Sequence, residues 1–377
     1  MTAPETRIRE RRGLRLLVLA PNPEISGPFP GPIARIAYSL VDALEGAGCI
    51  VERELWGRHE AHESNAARVA GRARDLARIR RKIASGRFDV VFVNTTHDWR
   101  ALPRDLLLML SLPRRVPWVL LYHGSRADLL TSPGHALFKR ATRCLLGRSR
   151  AVLVLSSVEA RQWSNFSPRT SVHVVSNPFS SGSGSSPRRN AQAASVRVLY
   201  AGRLVREKGL FELLEAMAQV VQQEECVLLI AGEGPSEGDL QRLTADLELR
   251  DHVTFLGFLG QEELEAVYAQ VDMLVLPSHR EGFPTVLLEA MSHGLPLVTT
   301  PIRGAVDHLI ERENVLFVPP QSPRELAEAI ITLARDEPLR RKLGENNLSK
   351  VRDFAPERVV QDYIAIFEQV AGRTTSS

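Results

Sequence analysis

The chain has 377 residues, 44% of them apolar and 24% charged. That length exceeds one ordinary core and that composition is globular, which excludes a disordered chain and points to two domains. The net charge of +4 conceals an asymmetry: residues 1–178 hold 28 Lys and Arg against 15 Asp and Glu, and the remainder holds 20 against 29. The first half therefore suits an anionic contact, either a phosphate-bearing acceptor or an acidic lipid surface, unless its charge serves only solubility.

In chain order, Arg11-Arg12 precede a short apolar run over 14–20 that contains Arg15 and leads to Pro21 without a small-residue cleavage site. This reads as a first β-strand over 15–20, not as a signal peptide. Further near-continuous apolar runs predict strands at 90–94, 118–122, 151–155 and 172–175, each separated by helical patterns, as in βαβ units whose parallel sheet is covered on both faces. His59 and His62 lack the spacing of a metal site and lie in a charged stretch, so no metal is expected there. The segment 66–87, AARVAGRARDLARIRRKIASGR, sets eight basic residues against the single acid Asp75, with Val69, Ala73, Leu76, Ala77, Ile79 and Ile83 as an apolar stripe. It predicts a basic amphipathic helix, either a cover for the sheet or a contact for an anionic membrane surface.

Residues 180–194, SSGSGSSPRRNAQAA, are rich in Gly and Ser and predict an interdomain linker. The expected division is a first Rossmann-like domain at 1–179, the linker at 180–194, a second Rossmann-like domain at 195–355, and a helix at 356–377 crossing back to the first domain. The second domain's expected strands are 196–201, 227–231, 253–256, 273–276, 296–299 and 316–318. No apolar run approaches the ~20 residues that span a bilayer. Cys49, Cys144 and Cys226 are too scattered for a disulfide framework, which suits a reducing, cytoplasmic setting.

The segment 277–294, PSHREGFPTVLLEAMSHG, follows a strand and enters a helix. Amides of Gly282, Phe283 and Thr285 would then sit at a helix N-terminus, a ready anion site, with Pro284 presetting the entry angle. Gly232 and Gly234 form a G-x-G after another strand, which without a third glycine and a downstream acid is no dinucleotide fingerprint. A nicotinamide dehydrogenase is thereby disfavoured.

Glu281 and Glu289, within EGFPTVLLEA, resemble the E-x7-E motif of retaining GT-B glycosyltransferases of family 4, the group 1 type. YAGRLVREKGLFELLEAM at 200–217, LLIAGEGP at 228–235, VTFLGFL at 253–259 and ENVLFVPP at 313–320 match as well. The resemblance implies an α/β GT-B fold, two Rossmann-like domains with parallel sheets facing across a cleft. It implies that Arg203 and Lys208 grip the donor diphosphate, that Glu289 holds the ribose hydroxyls, and that Glu281 holds those of the transferred sugar. His123, in LLYHGS, would contact the donor near the reaction centre, and Gly31, with Gly27 and Arg35, would lie in a glycine-rich loop near the phosphates. Glu281, His123, Arg203 and Lys208 are thus the expected catalytic residues. Gly31, Gly232, Gly234, Gly282, Phe283, Pro284, Thr285 and Glu289 join Arg203 and Lys208 at the donor.

The chain departs from the family pattern at Pro30, Arg303, Asp307 and Val315. Preorganised cations and helix-end amides stabilise a departing diphosphate without a metal, and no D-x-D occurs, so neither metal nor other cofactor is expected beyond the donor itself. The expected reaction moves a hexose-like sugar from a UDP- or GDP-sugar to a hydroxyl acceptor, a lipid-linked one included, in glycolipid, polysaccharide or other cell-envelope glycan synthesis. The donor phosphate would act as base, in keeping with the lack of a carboxylate pair placed for double displacement. The alternatives are a nucleotide-sugar epimerase on the same fold and a catalytically silent subunit supporting a partner transferase. Nucleic acid is not an expected partner, because no aromatic stacking motif accompanies the basic charge.

Overall fold

The computed structural model of the chain describes residues 13–21, 32–57, 64–111, 116–180 and 195–372. Most of the 180–194 segment, the glycine-rich loop with Gly27, Pro30 and Gly31, and the pair His59 and His62 lie outside the described residues. Two compact units are present. The first takes Met1–Val154, Glu159–Pro178 and Pro356–Ser377; the second takes Leu155–Val158 and Phe179–Ala355.

The first unit is built on six parallel strands, β1 (Arg15–Ala20), β2 (Ile50–Leu55), β3 (Val90–His97), β4 (Trp118–Ser125), β5 (Ala151–Val154) and β6 (Ser171–Val174), in the order β2-β1-β3-β4-β5-β6. Leu16, Leu17, Val91, Phe92 and Leu120 are fully buried, because helices cover both faces. Alternation along β3 sends Val91 and Val93 into one cluster with Ile79, Leu108 and Phe138, while Phe92 faces the other way. There it meets the helix α14 (Pro356–Val370), its ring 5.1 Å from Phe367 and 6.0 Å from Tyr363. Tyr363 also donates its hydroxyl to the Ser176 carbonyl (3.2 Å).

Strand β2, IVEREL, was not among the expected strands, and the reason is its place at the sheet edge. An edge strand needs no continuous apolar run, and here its charges are used. Arg53 pairs with Asp42 (2.8 Å) of the helix α1 (Pro32–Gly46). Glu54 pairs with Arg78, Lys82 pairs with both Glu52 and Glu54 (2.8 Å each), and these bonds raise the Lys82 pKa.

The same contacts correct the expected stripe of the 66–87 segment. It forms the helix α2 (Asn65–Ala84), but Asp75, Ile79 and Ile83 are buried beneath it while Val69, Ala73 and Ala77 face outward. With Arg78 and Lys82 held by β2, the outward basic set is Arg74, Arg80, Arg81 and Arg87. No helix among the described residues is long and apolar enough to cross a membrane.

The second unit has strands β7 (Val196–Ala201), β8 (Cys226–Ala231), β9 (Val253–Gly257), β10 (Met273–Leu276), β11 (Leu297–Thr299) and β12 (Val315–Phe317), all parallel, in the order β12-β11-β10-β7-β8-β9. This is the doubly wound order, and its direction reverses between β7 and β10. Ligands of such sheets bind beyond the strand ends at that reversal. The turn after β7 and the turn after β10 are therefore neighbours, although about 75 residues separate the strands in sequence.

Candidate active site

Beyond β7 the chain makes a 3-10 turn, Arg206–Lys208, and ends it at Gly209, whose φ is 75°. A Cβ there would lie 2.1 Å from the Pro277 carbonyl oxygen at the end of β10, so only glycine lets the two turns touch. The result is an ion pair: Lys208 Nζ lies 2.6 Å from Glu281 Oε2, both side chains half-buried. Ser278 Oγ donates to the other Glu281 oxygen (2.5 Å), and Thr300 Oγ1 donates to the Ser278 carbonyl (2.5 Å). His279 fastens the loop from the other side, donating its backbone N–H to Glu207 (2.9 Å) and meeting the Glu212 carboxylate with Nε2 (3.0 Å). Tyr200 donates to the Arg203 carbonyl (3.0 Å), and burial together with the nearby Glu281 charge keeps that phenol protonated. The Arg203 guanidinium is exposed and has no side-chain partner among the described residues.

The loop leads into helix α10 (Thr285–Ser292), with Pro284 as its extended N-terminal flanking residue. Glu289 Oε2 accepts from Tyr268 OH (3.0 Å), and the Tyr268 ring stacks on His293, whose Nδ1–H donates to the Glu289 carbonyl (3.0 Å). Burial and the Glu289 charge push the Tyr268 phenol well above its ordinary pKa, so it remains a donor. The Gly304 N–H donates to the Gly282 carbonyl (2.9 Å), and a Cβ on Gly304 would lie 2.4 Å from that of Phe283. Asp307, one of the departures, accepts from the backbone N–H (2.6 Å) and hydroxyl (2.5 Å) of Ser157.

Gly232 and Gly234 have a packing reason of their own. Cβ atoms on them would lie 1.9 Å from the Gly202 carbonyl oxygen and 2.3 Å from that of Leu204. They seat the turn after β8 against the turn that carries Arg203.

In the first unit, His123 sits near the end of β4. Its Nε2 is 3.1 Å from Asn94 Oδ1 on β3, and burial lowers its pKa to about 4. Elsewhere in the unit, Asp105 accepts from Trp56 Nε1 (2.8 Å), Thr95 Oγ1 (2.6 Å) and Arg104 Nε (2.7 Å) in a buried network. Of the expected residues, then, Arg203, Lys208, Gly232, Gly234, Gly282, Phe283, Pro284, Thr285, Glu281 and Glu289 all lie in the second unit, around the β7 and β10 ends. Sequence reasoning did not single out Asn94, Tyr268, Ser278 or the Glu212–His279 pair. Ser278 and His279 lay within the quoted motif, but Tyr268 and Asn94 carry no local signal.

Two doubly wound α/β units, with cationic and carboxylate side chains gathered at the strand reversal of the second, define a GT-B architecture. A structure of Anabaena HepE in complex with UDP and glucose shares this fold, with a TM-score of 0.70 at 20% identity over 94% of this chain and 100% of that one. Residues 187–350 match the family described as glycosyl transferases group 1, and residues 33–181 match glycosyltransferase family 4; the chain belongs to this family. It is 38% identical over 151 residues to an alpha-D-kanosaminyltransferase of Streptomyces kanamyceticus, covering 40% of this chain. It is 29% identical over 232 residues to the putative teichuronic acid biosynthesis glycosyltransferase TuaC of Bacillus subtilis, covering 59% of this chain. These matches span 39% and 56% of the lengths of the two curated relatives.

Proposed function

We propose that the chain transfers a hexose-like sugar from a UDP- or GDP-sugar to a hydroxyl acceptor, with retention of configuration and without a metal ion, in the synthesis of a cell-envelope glycan. The observation that carries this reading is the Lys208–Glu281 pair beside exposed Arg203 at the β7 and β10 ends. Lys208 and Arg203 balance the negative charge that builds on the departing diphosphate, and the amides entering α10 add to them. Glu281 and Glu289 each accept hydrogen bonds from neighbouring hydroxyls, the first from the sugar and the second from the ribose. The bond from the anomeric carbon to the diphosphate breaks, the bond to the acceptor oxygen forms on the same face, and the acceptor proton passes to a phosphate oxygen.

The experiment is incubation of the purified protein with a panel of UDP- and GDP-hexoses, recording slow donor hydrolysis and thermal stabilisation. No hydrolysis and no stabilisation by any donor would sink the reading.

The basic first unit supports a peripheral contact with the anionic cytoplasmic face of a membrane, where a lipid-linked acceptor resides. Each cation near acidic lipid contributes ~1 kcal/mol. Because Arg78 and Lys82 brace β2, the contact falls to Arg74, Arg80, Arg81 and Arg87. Co-sedimentation with liposomes should rise with anionic lipid content and fall when Arg80, Arg81 and Arg87 are changed to Glu; binding that ignores both changes would remove this surface.

A further inference from the structure

Helix α3 (Ala101–Ser111), ALPRDLLLMLS, has its polarity reversed. Both of its charged side chains are taken inward: Asp105 is buried, and Arg104 donates to Asp105 from Nε and to Thr95 Oγ1 from Nη2 (2.7 Å each). Pro103, Leu107 and Leu110, spaced at i, i+4 and i+7, instead form one stripe on the solvent side. Leu107 keeps 57% of its surface exposed and Leu110 keeps 48%. A helix that is apolar all round is ordinarily covered all round, whereas α3 is covered on one side.

The neighbouring helices extend that surface and give it a charge. Helices α2, α3 and α5 (Ala136–Leu146) cover the same sheet face, burying Ile79, Leu108 and Phe138 in one core, and α3 packs on α5. At the start of α5, Leu137 is 72% exposed, and the exposed Trp99 ring leans on Phe138 with centroids 4.8 Å apart. Asp75 and Asp105 are the only acids in α2, α3 and α5, and both are buried. The outward charges of these helices are therefore cationic, among them Arg74, Arg80 and Arg81 on α2 and Arg140 and Arg143 on α5. The opposite sheet face is covered by α1 and α14, which carry the exposed acids Asp42, Glu45, Glu357 and Asp362. Positive charge on this unit is thus one-sided and coincides with the exposed leucines, an arrangement that solubility does not require.

We propose that the outer face of α3 and α5 is an insertion surface for an anionic lipid bilayer. Leu107, Leu110, Leu137 and Trp99 enter the boundary between headgroups and acyl chains, and the arginines of α2 and α5 lie against lipid phosphates. The proposal rests on the reading of the first unit as a peripheral membrane domain, and it adds to the α2 arginines an apolar anchor that salt does not screen. Lipid suits the surface better than a second copy of the chain, because two such faces would set arginine against arginine.

Trp99 makes the test direct, because Trp56, Trp118 and Trp163 are buried. The unaltered full-length protein is mixed with phosphatidylcholine vesicles, with and without phosphatidylglycerol, and tryptophan emission and co-sedimentation are recorded. On the anionic vesicles the emission should shift to the blue and be quenched by brominated acyl chains. Leu107→Gln combined with Leu110→Gln should weaken partitioning by about 100-fold, tenfold for each leucine kept out of lipid, while the melting temperature stays unchanged because both positions are exposed. Co-sedimentation without quenching, with the double variant bound as tightly as the unaltered protein, overturns the insertion surface and leaves the α2 arginines as the contact. Absence of binding to either vesicle overturns the insertion surface and the α2 contact together. If Trp99 becomes shielded from iodide as protein concentration is raised, in a dimer that the double variant abolishes, a second copy covers the face and the proposal is likewise overturned.

Discussion

The strand ends β3–β4 and β7–β10 belong to the same kind of parallel sheet, yet they have opposite electrostatic characters. At β3–β4 the ionisable group is His123, deep enough that burial lowers its pKa to about 4 and leaves it uncharged. At β7–β10 the groups are Lys208 and Glu281, half-buried and held 2.6 Å apart as an ion pair, with Arg203 exposed beside them. Pairing makes the difference. Desolvation favours the neutral form of an ionisable ring with no opposite charge beside it, whereas opposite charges set together offset one another's desolvation. One sheet end presents a neutral ring and the other a pair of opposite charges.

The sharpest way to break that contrast is to remove cations from the charged end. Lys208→Ala and Arg203→Ala should each lower turnover by about 100- to 1000-fold and weaken UDP or GDP binding in calorimetric titration. Unchanged nucleotide affinity in both variants would end the diphosphate assignment. Glu281→Gln should also lose most activity, by about 100-fold, but bind the free nucleoside diphosphate nearly normally, because its partner is assigned to the sugar. A fully active Glu281→Gln enzyme would refute that role.

Smaller effects sharpen the neutral end. Asp105→Ala strips one buried acceptor from three donors and should cost about 3 kcal/mol of stability, read from the denaturant midpoint, with nucleotide affinity in the second unit unaffected. The His123 ring, with a folded pKa near 4 against an unfolded value near 6.5, binds fewer protons folded than unfolded between those limits. Its contribution is therefore complete above about pH 6.5 and is lost as pH falls toward about 4, by about 3 kcal/mol in all. Thermal melts over that window should flatten in His123→Gln, and an identical slope would contradict the buried neutral ring. The smallest expected effect is that of EDTA, which should leave turnover intact; strict dependence on added Mn²⁺ or Mg²⁺ would overturn the metal-free proposal.

Strands buried on both faces were legible because their apolar runs are uninterrupted: β1, β7 and β10 have the expected limits, and the other expected strands are displaced by at most a few residues. Strand β2 was not legible. Its stability comes from Glu52 and Glu54 meeting Lys82 and Arg78 about 30 residues away, which no local pattern records. The same pairing explains why the apolar stripe of α2 divides into a buried and an exposed set. At the candidate site, residues in compact motifs such as Glu281, Gly282 and Glu289 could be read directly. Their supports could not, because Tyr268 reaches Glu289 across 21 residues and His279 reaches Glu212 across 67, and such distances are closed only by the sheet.

Helix α14 has a consequence for how the molecule is made. The second unit, apart from four residues, is one unbroken stretch ending at Ala355, whereas the first needs Tyr363 and Phe367 against Phe92 to cover its sheet. Synthesis runs from the N-terminus, so the earlier-made unit cannot close before the later one has been translated. During that interval the Phe92 face of β3 stays open to water or to a chaperone. Interrupting the chain after residue 355 would consequently injure the first unit most, although the break lies at the end of the second.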